Sequence, residues 1–130
     1  MKFDRFEEII SWQKGKALSL IIYKEFIVCR DYSFRNQIRR ASISIMNNIA
    51  EGFERKGNKE FRNFLYIAKG SCAEVRSMLY LCIDLNYLNK NLTQKLIEDT
   101  IEISRLLPGL IKTLWFQNFT NFMNFINFKN

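Results

Sequence analysis

The sequence predicts an all-α protein, an up-down-up-down bundle of four helices. Its 130 residues include one Pro and five Gly, too few for the frequent turns of an all-β sandwich. Hydrophobic residues make up 48% and charged residues 25%, as in a chain that buries a core. Apolar residues also recur in steps of four and three along three segments, which is the spacing of one helix face.

The first helix is predicted over 11–30, where Trp12, Leu18 and Ile22 recur at helical spacing. Ser11 stands where its hydroxyl could accept a hydrogen bond from a free N–H of the first turn, so it is the predicted N-cap. The ten residues before it are predicted to form an extended lead-in that packs Phe3 against the bundle.

The second helix is predicted over 33–53. The residues predicted to face the other helices, here called the seam of the helix, recur at intervals of four and three positions: Phe34, Ile38, Ala41, Ile45 and Asn48. An Asn on a buried seam needs hydrogen-bond partners for its amide, and such residues often fix register.

The third helix, predicted over 59–86, follows a break at Gly57, a residue that takes positive φ without steric cost. Its seam has seven members: Phe61, Leu65, Ala68, Cys72, Val75, Leu79 and Cys82. Small residues cluster in its middle, from Ala68 to Ala73. They predict a close approach to another helix.

The fourth helix is predicted over 90–115, with a kink near Arg105 because Pro108 removes a backbone hydrogen bond. Residues 1–115 are therefore assigned to the bundle domain. Residues 116–130 repeat Phe-x-Asn five times and are assigned to a separate tail. Two interpretations stay open for this tail, an arm that docks on a neighbouring molecule or a low-complexity extension.

The composition disfavours most enzymes. Histidine is absent, which removes the usual general base near neutral pH and the commonest metal ligand. No Gly-rich phosphate loop is present, and a metal site made of carboxylates alone is a weak candidate. We therefore expect no enzymatic activity, no cofactor and no metal. Three cysteines without a CxxC spacing predict reduced thiols in a cytoplasmic protein, and no membrane span is expected.

The charge predicts an anionic partner. Twenty Lys and Arg against thirteen Asp and Glu give a net charge of +7. The excess lies on the second and third helices, and a guanidinium binds phosphate oxygens well. The candidate residues for binding an RNA or DNA backbone are Arg35, Arg39, Arg40, Arg55, Lys56, Lys59 and Arg62.

Two other interpretations of these charges remain. The same surface could bind an acidic protein instead of nucleic acid. The charges could also form local ion pairs on a solvated face, such as Arg35 with Asp31 or Arg55 with Glu51. Independently of the charges, the seams carry more apolar surface than one small bundle can cover, which predicts self-association.

Several motifs resemble a known family. They are Trp12-Gln13-Lys14, Gln37-Ile38-Arg39-Arg40-Ala41, Asn48-Ile49-Ala50-Glu51-Gly52-Phe53, Lys59-Glu60-Phe61 and Gly70-Ser71-Cys72-Ala73-Glu74. Over residues 6–115 the chain resembles the four-helix-bundle proteins encoded in intervening sequences of bacterial 23S rRNA genes. The resemblance implies a cytoplasmic, ring-like homopentamer. It also implies kinship to the accessory protein of diversity-generating retroelements, a basic pentamer that associates with nucleic acid and with a reverse transcriptase.

Overall fold

The computed structural model describes residues 3–129 and, within them, every side chain except those of 117–122, 128 and 129. After a 3₁₀ turn at Phe6–Glu8 come four helices: α1 (Ile10–Glu25), α2 (Tyr32–Glu54), α3 (Asn58–Leu85) and α4 (Lys90–Lys129). Each helix packs on the next, and α1 also packs on α4. The described residues contain no strand. The predicted up-down bundle is confirmed.

The beginning of α1 differs from the prediction. Ile9 is the N-cap residue, with an extended backbone, so Ser11 lies inside the first turn. Ser11 is buried, and its Oγ has no hydrogen-bond partner within the described part of the chain. No side chain caps the beginning of α1 by a hydrogen bond. The buried Ile9, which is 2% exposed, holds it by apolar contact instead. Phe3 packs against the core as expected.

The seam of α2 shifts by one position after Ile45. Ile49 and Gly52 are buried, whereas Asn48 is half-buried at the edge of the interface. The Asn48 amide donates to the Ser44 carbonyl oxygen at 2.7 Å and to Ser44 Oγ at 2.9 Å. Ser44 Oγ lies 2.8 Å from Ser71 Oγ. This polar chain gives Asn48 its predicted partners and links α2 to α3.

The third helix follows the prediction closely. All seven members of its predicted seam are buried. Gly57 adopts φ 98° directly before α3, and Asn86 adopts a left-handed conformation directly after it. Gly57 and Asn86 therefore mark the two ends of α3, each in a backbone conformation that few other residue types adopt.

Gly70 takes no part in the close approach that was expected of the small residues 68–73. A Cβ atom built at Gly70 would meet nothing within 4 Å, because this face of α3 is exposed. A Cβ atom at Gly52 would lie 2.6 Å from Phe64 Cβ. The contact that requires a glycine is therefore that of α2 on the beginning of α3.

The fourth helix continues through Pro108 to Lys129, past its predicted end at residue 115. Its inward face closes the core with residues that include Leu96, Ile103, Leu107 and Leu114. The side chains of Phe119, Phe122 and Phe128, three of the five in the Phe-x-Asn repeat, lie outside the described residues. The separate tail and both interpretations of it, a docking arm or a low-complexity extension, therefore remain predictions.

Candidate functional site

The first group of candidate residues lies on α2 beside α1. The Arg39 Nη2 donates to the carbonyl oxygen of Tyr23 at 2.8 Å, and its guanidinium carbon lies 4.7 Å from the centroid of the Tyr23 ring. The Arg35 guanidinium lies 4.7 Å from the Tyr32 ring. Arg40 is exposed, and it forms no hydrogen bond or ion pair with any side chain that the structure describes. Two of the three guanidinium groups are thus held by aromatic rings, and the third is free.

A cleft of about 310 Å³ opens beside this group, and its described lining residues are Tyr23, Asn36, Arg39 and Arg40. None of these residues is acidic. The Nε of Arg39 is buried and has no hydrogen-bond partner in the described structure. A cleft with two guanidinium groups and no carboxylate among these residues can accept phosphate or carboxylate oxygens.

The second group lies at the turn between α2 and α3. The Arg55 Nη2 pairs with Glu51 Oε1 at 2.8 Å, with both side chains about half exposed. Its guanidinium also lies 5.2 Å from the centroid of the Phe64 ring. Lys56 and Lys59 are exposed and without a partner among the described side chains.

One of the two predicted local ion pairs forms. Arg55 pairs with Glu51, as that interpretation expected. Arg35 does not pair with Asp31. Its Nε donates to Asn36 Oδ1 at 3.3 Å, while Asp31 accepts hydrogen bonds from the Tyr87 hydroxyl and the Phe34 backbone N–H.

The two groups do not form one continuous surface. Arg39 lies on α2 and Arg55 directly follows the end of that helix, sixteen positions later, which corresponds to about 24 Å along the helix axis. Arg39 contacts Tyr23 of α1, whereas Arg55 contacts Phe64 of α3. The predicted basic surface is therefore divided between two edges of α2.

Arg62 lies apart from both groups. It is 4% exposed, and its guanidinium carbon lies 3.6 Å from the centroid of the Trp115 ring. The placement of Arg62 on an open basic face is therefore corrected, because its side chain fills the contact between α3 and α4. Its Nη1 is buried without a hydrogen-bond partner in the described structure.

Sequence reasoning missed a second cleft, between α3 and α4. It encloses about 260 Å³, and its described lining includes Tyr66, Lys69, Lys112 and Trp115, together with Pro108 and Ile111. Tyr66 is 52% exposed. The available signal was the spacing of Arg62, Tyr66 and Lys69, which places the three residues on one side of α3.

Within the described residues, no group of three or more Cys, Asp or Glu side chains could hold a metal ion. None of the helices, over the part of each that is described, is long and apolar enough to cross a membrane.

The fold and these clefts define a small four-helix bundle with arginine and lysine side chains in two surface clefts. The family model of the 23S rRNA-intervening sequence protein matches residues 7–109, and the chain belongs to this family. Its structure is similar to the crystal structure of a protein of unknown function from the S23 ribosomal protein family of Bacteroides thetaiotaomicron. That similarity has a TM-score of 0.74 at 27% identity and covers 79% of this chain and 99% of the other. No curated protein matches the chain significantly.

Proposed function

We propose that the protein is a non-enzymatic, cytoplasmic binding protein that holds the backbone of RNA or DNA. The observation that carries this proposal is the cleft between α1 and α2, where Arg39 and Arg40 meet without an acidic residue among the described lining. The Tyr23 carbonyl and ring hold the Arg39 guanidinium in place, so little side-chain entropy is lost when it binds an anion. Arg40 supplies the free charge.

The second group extends the same chemistry to the α2–α3 turn. Lys56 and Lys59 are free to contact phosphates, while Arg55 is partly neutralised by Glu51. Contacts of this kind position a strand without reading its bases. The affinity is therefore expected to depend little on sequence and to fall steeply with salt, because each phosphate contact releases counterions.

We also propose that the chain self-associates. Its resemblance to the family implies a ring of five copies. Support comes from apolar side chains exposed near the end of the bundle that holds the α1–α2 loop. Ile27 is 65% and Val28 is 85% exposed in the loop, and Leu81 of α3 is 49% exposed. Apolar side chains left in solvent at one end of a bundle favour its association with a second copy. Light scattering should give a mass near five times the chain mass of 15.6 kDa, and a monomer at all concentrations would contradict the proposal.

The test of nucleic-acid binding is a gel shift on RNA of unrelated sequences across a salt series. Arg40→Glu should abolish the shift at moderate salt without changing the oligomeric state. Lys90→Glu is the matched control, since Lys90 is exposed at the beginning of α4 and lacks a partner among the described side chains.

Two results would overturn the proposal. One is no binding by the unmodified chain at low salt. The other is an Arg40→Glu variant that binds as well as Lys90→Glu, which would favour an acidic protein, such as a reverse transcriptase, as the partner of the basic surface.

A further inference from the structure

We infer that the cleft between α3 and α4 binds an unpaired nucleotide, with its base stacked on Tyr66 and Trp115 and its phosphate held by Lys69 and Lys112. This inference rests on the proposed nucleic-acid binding and assigns to it a site distinct from the Arg39–Arg40 cleft. It names four residues that were not among the sequence candidates.

The two helices bring aromatic and cationic groups together in pairs. On α3, Tyr66 and Lys69 are three positions apart and share a face. On α4, Lys112 and Trp115 have the same spacing. All four residues line one cleft of about 260 Å³, and the described lining contains no acidic side chain.

The Trp115 ring is held in position from one side. The buried guanidinium of Arg62 lies 3.6 Å from the ring centroid, while the Trp115 side chain is still 55% exposed. Pro108 is half-buried and Ile111 is buried. Both line the cleft and make part of its wall apolar. An indole fixed in this way can accept a stacked ring without first being ordered, which lowers the entropic cost of binding.

The chemistry of the cleft fits a nucleotide whose base is free. Stacking uses the flat face of a base, and that face is covered by neighbouring base pairs in a duplex. Aromatic rings next to lysines are the usual means of binding single strands without sequence preference. The volume lies below the range for drug-sized ligands and suits one planar group with its phosphate outside.

Trp115 fluorescence gives the direct test in the full-length chain. The sequence has two Trp residues, so a Trp12→Phe background leaves Trp115 as the only reporter. Titration with a single-stranded oligouridylate should quench the emission, and a duplex of the same length should quench it much less. Quenching by uridine monophosphate as well would place free nucleotides among the ligands. Equal quenching by the duplex, no change with the single strand, or the same change with inorganic phosphate alone would overturn the inference.

A matched pair of tyrosine variants tests the stacking. Tyr66→Ala should weaken single-strand binding about thirtyfold, the middle of the range for one stacked base, and leave the salt slope unchanged. Tyr80→Ala is the control, because Tyr80 lies on the same helix with the same 52% exposure and is absent from the described lining of the cleft. Lys112→Ala should lower the salt slope by about one phosphate contact.

These outcomes separate the two proposals. If Arg40→Glu weakens binding while Tyr66→Ala behaves like Tyr80→Ala, the proposed function stands and the nucleotide cleft is wrong. If Tyr66→Ala weakens binding while Arg40→Glu behaves like Lys90→Glu, the backbone cleft is wrong. A chain without any salt-dependent binding contradicts both.

Discussion

The Tyr87 hydroxyl donates a 2.6 Å hydrogen bond to Asp31 Oδ2 and so ties the α3–α4 loop to the beginning of α2. Asp31 Oδ1 also accepts the Phe34 backbone N–H at 3.1 Å, which caps α2. The bond from Tyr87, followed by the one from Phe34, lowers the pKa of Asp31. The same Tyr87–Asp31 bond is the main reason that the pKa of Tyr87 rises to about 12.

The first prediction concerns acid stability. Because the folded pKa of Asp31 is lowered, its carboxylate stabilises the fold above the unfolded pKa, and this contribution is lost as the pH falls through the folded pKa. Asp31→Ala should therefore lower the melting temperature at neutral pH, with a difference that shrinks in acid. Asp84→Ala, which removes an exposed carboxylate without a partner in the described structure, should show no such trend. A difference that stays constant down to acid pH would contradict the assignment.

The second prediction concerns stability at alkaline pH and depends on the Tyr87 hydroxyl. A raised pKa means that the bond stabilises the fold fully below the unfolded value of about 10 and ceases to do so as the pH rises through about 12. Tyr87→Phe should therefore be less stable than the unmodified chain at neutral pH, and the two should converge at strongly alkaline pH. Thermal unfolding across that range checks it.

Two glycines in helices should respond in opposite directions to alanine. In Gly52→Ala the new Cβ would meet Phe64 Cβ, and Phe61 Cδ1 at 3.1 Å. Since the Phe64 Cβ is fixed to the backbone, α2 and α3 must separate, at a cost of about 1–3 kcal/mol. Gly70→Ala enters open space on an exposed helix face and should stabilise the protein by about 0.5–1 kcal/mol. Urea unfolding measures both, and equal effects would contradict the packing described.

Arg62 should matter for packing and not for phosphate binding. Arg62→Leu removes a buried, incompletely hydrogen-bonded charge and keeps much of the side-chain volume, so its stability should match or exceed that of the unmodified chain. Its salt slope for RNA should be unchanged, whereas Arg40→Ala should lower the slope by about one. A lower slope for Arg62→Leu would return Arg62 to the binding surface.

The cysteines should differ in reactivity. Burial raises the pKa of the Cys72 thiol to about 11, and burial also raises that of Cys82. Cys29 is only half-buried. Because the thiolate is the nucleophile, Cys29 should be alkylated first at neutral pH, and the other two only as the chain unfolds. Mass spectrometry after timed alkylation gives the order, and early labelling of Cys72 would contradict it.

The sequence predicted the fold well because its signal is periodic and local. The steps of four and three along α3 identified all seven buried residues of its seam. The predicted N-cap at Ser11 was wrong because the buried Ile9 anchors the beginning of α1. Of the small residues 68–73, Ser71 meets Ser44 of α2 but Gly70 faces open space, because a small residue does not reveal which side of its helix faces a neighbour.

The candidate site was harder to predict because it depends on contacts between distant residues. Arg62 and Lys59 look alike in the sequence, yet Trp115, fifty-three positions later, buries the first and leaves the second exposed. Likewise, Arg39 on α2 and Arg55 directly after α2 contact different neighbours. Charge patterning can locate an excess of cations, but only the packing of the helices divides it into separate clefts.

The course of α4 determines how far the last helix extends. The helix runs unbroken to Lys129, whereas the family model stops at residue 109. At a rise of about 1.5 Å per residue, the part beyond residue 109 adds about 30 Å of helix. This length needs no new loop, so the connections between α1, α2 and α3 do not depend on it.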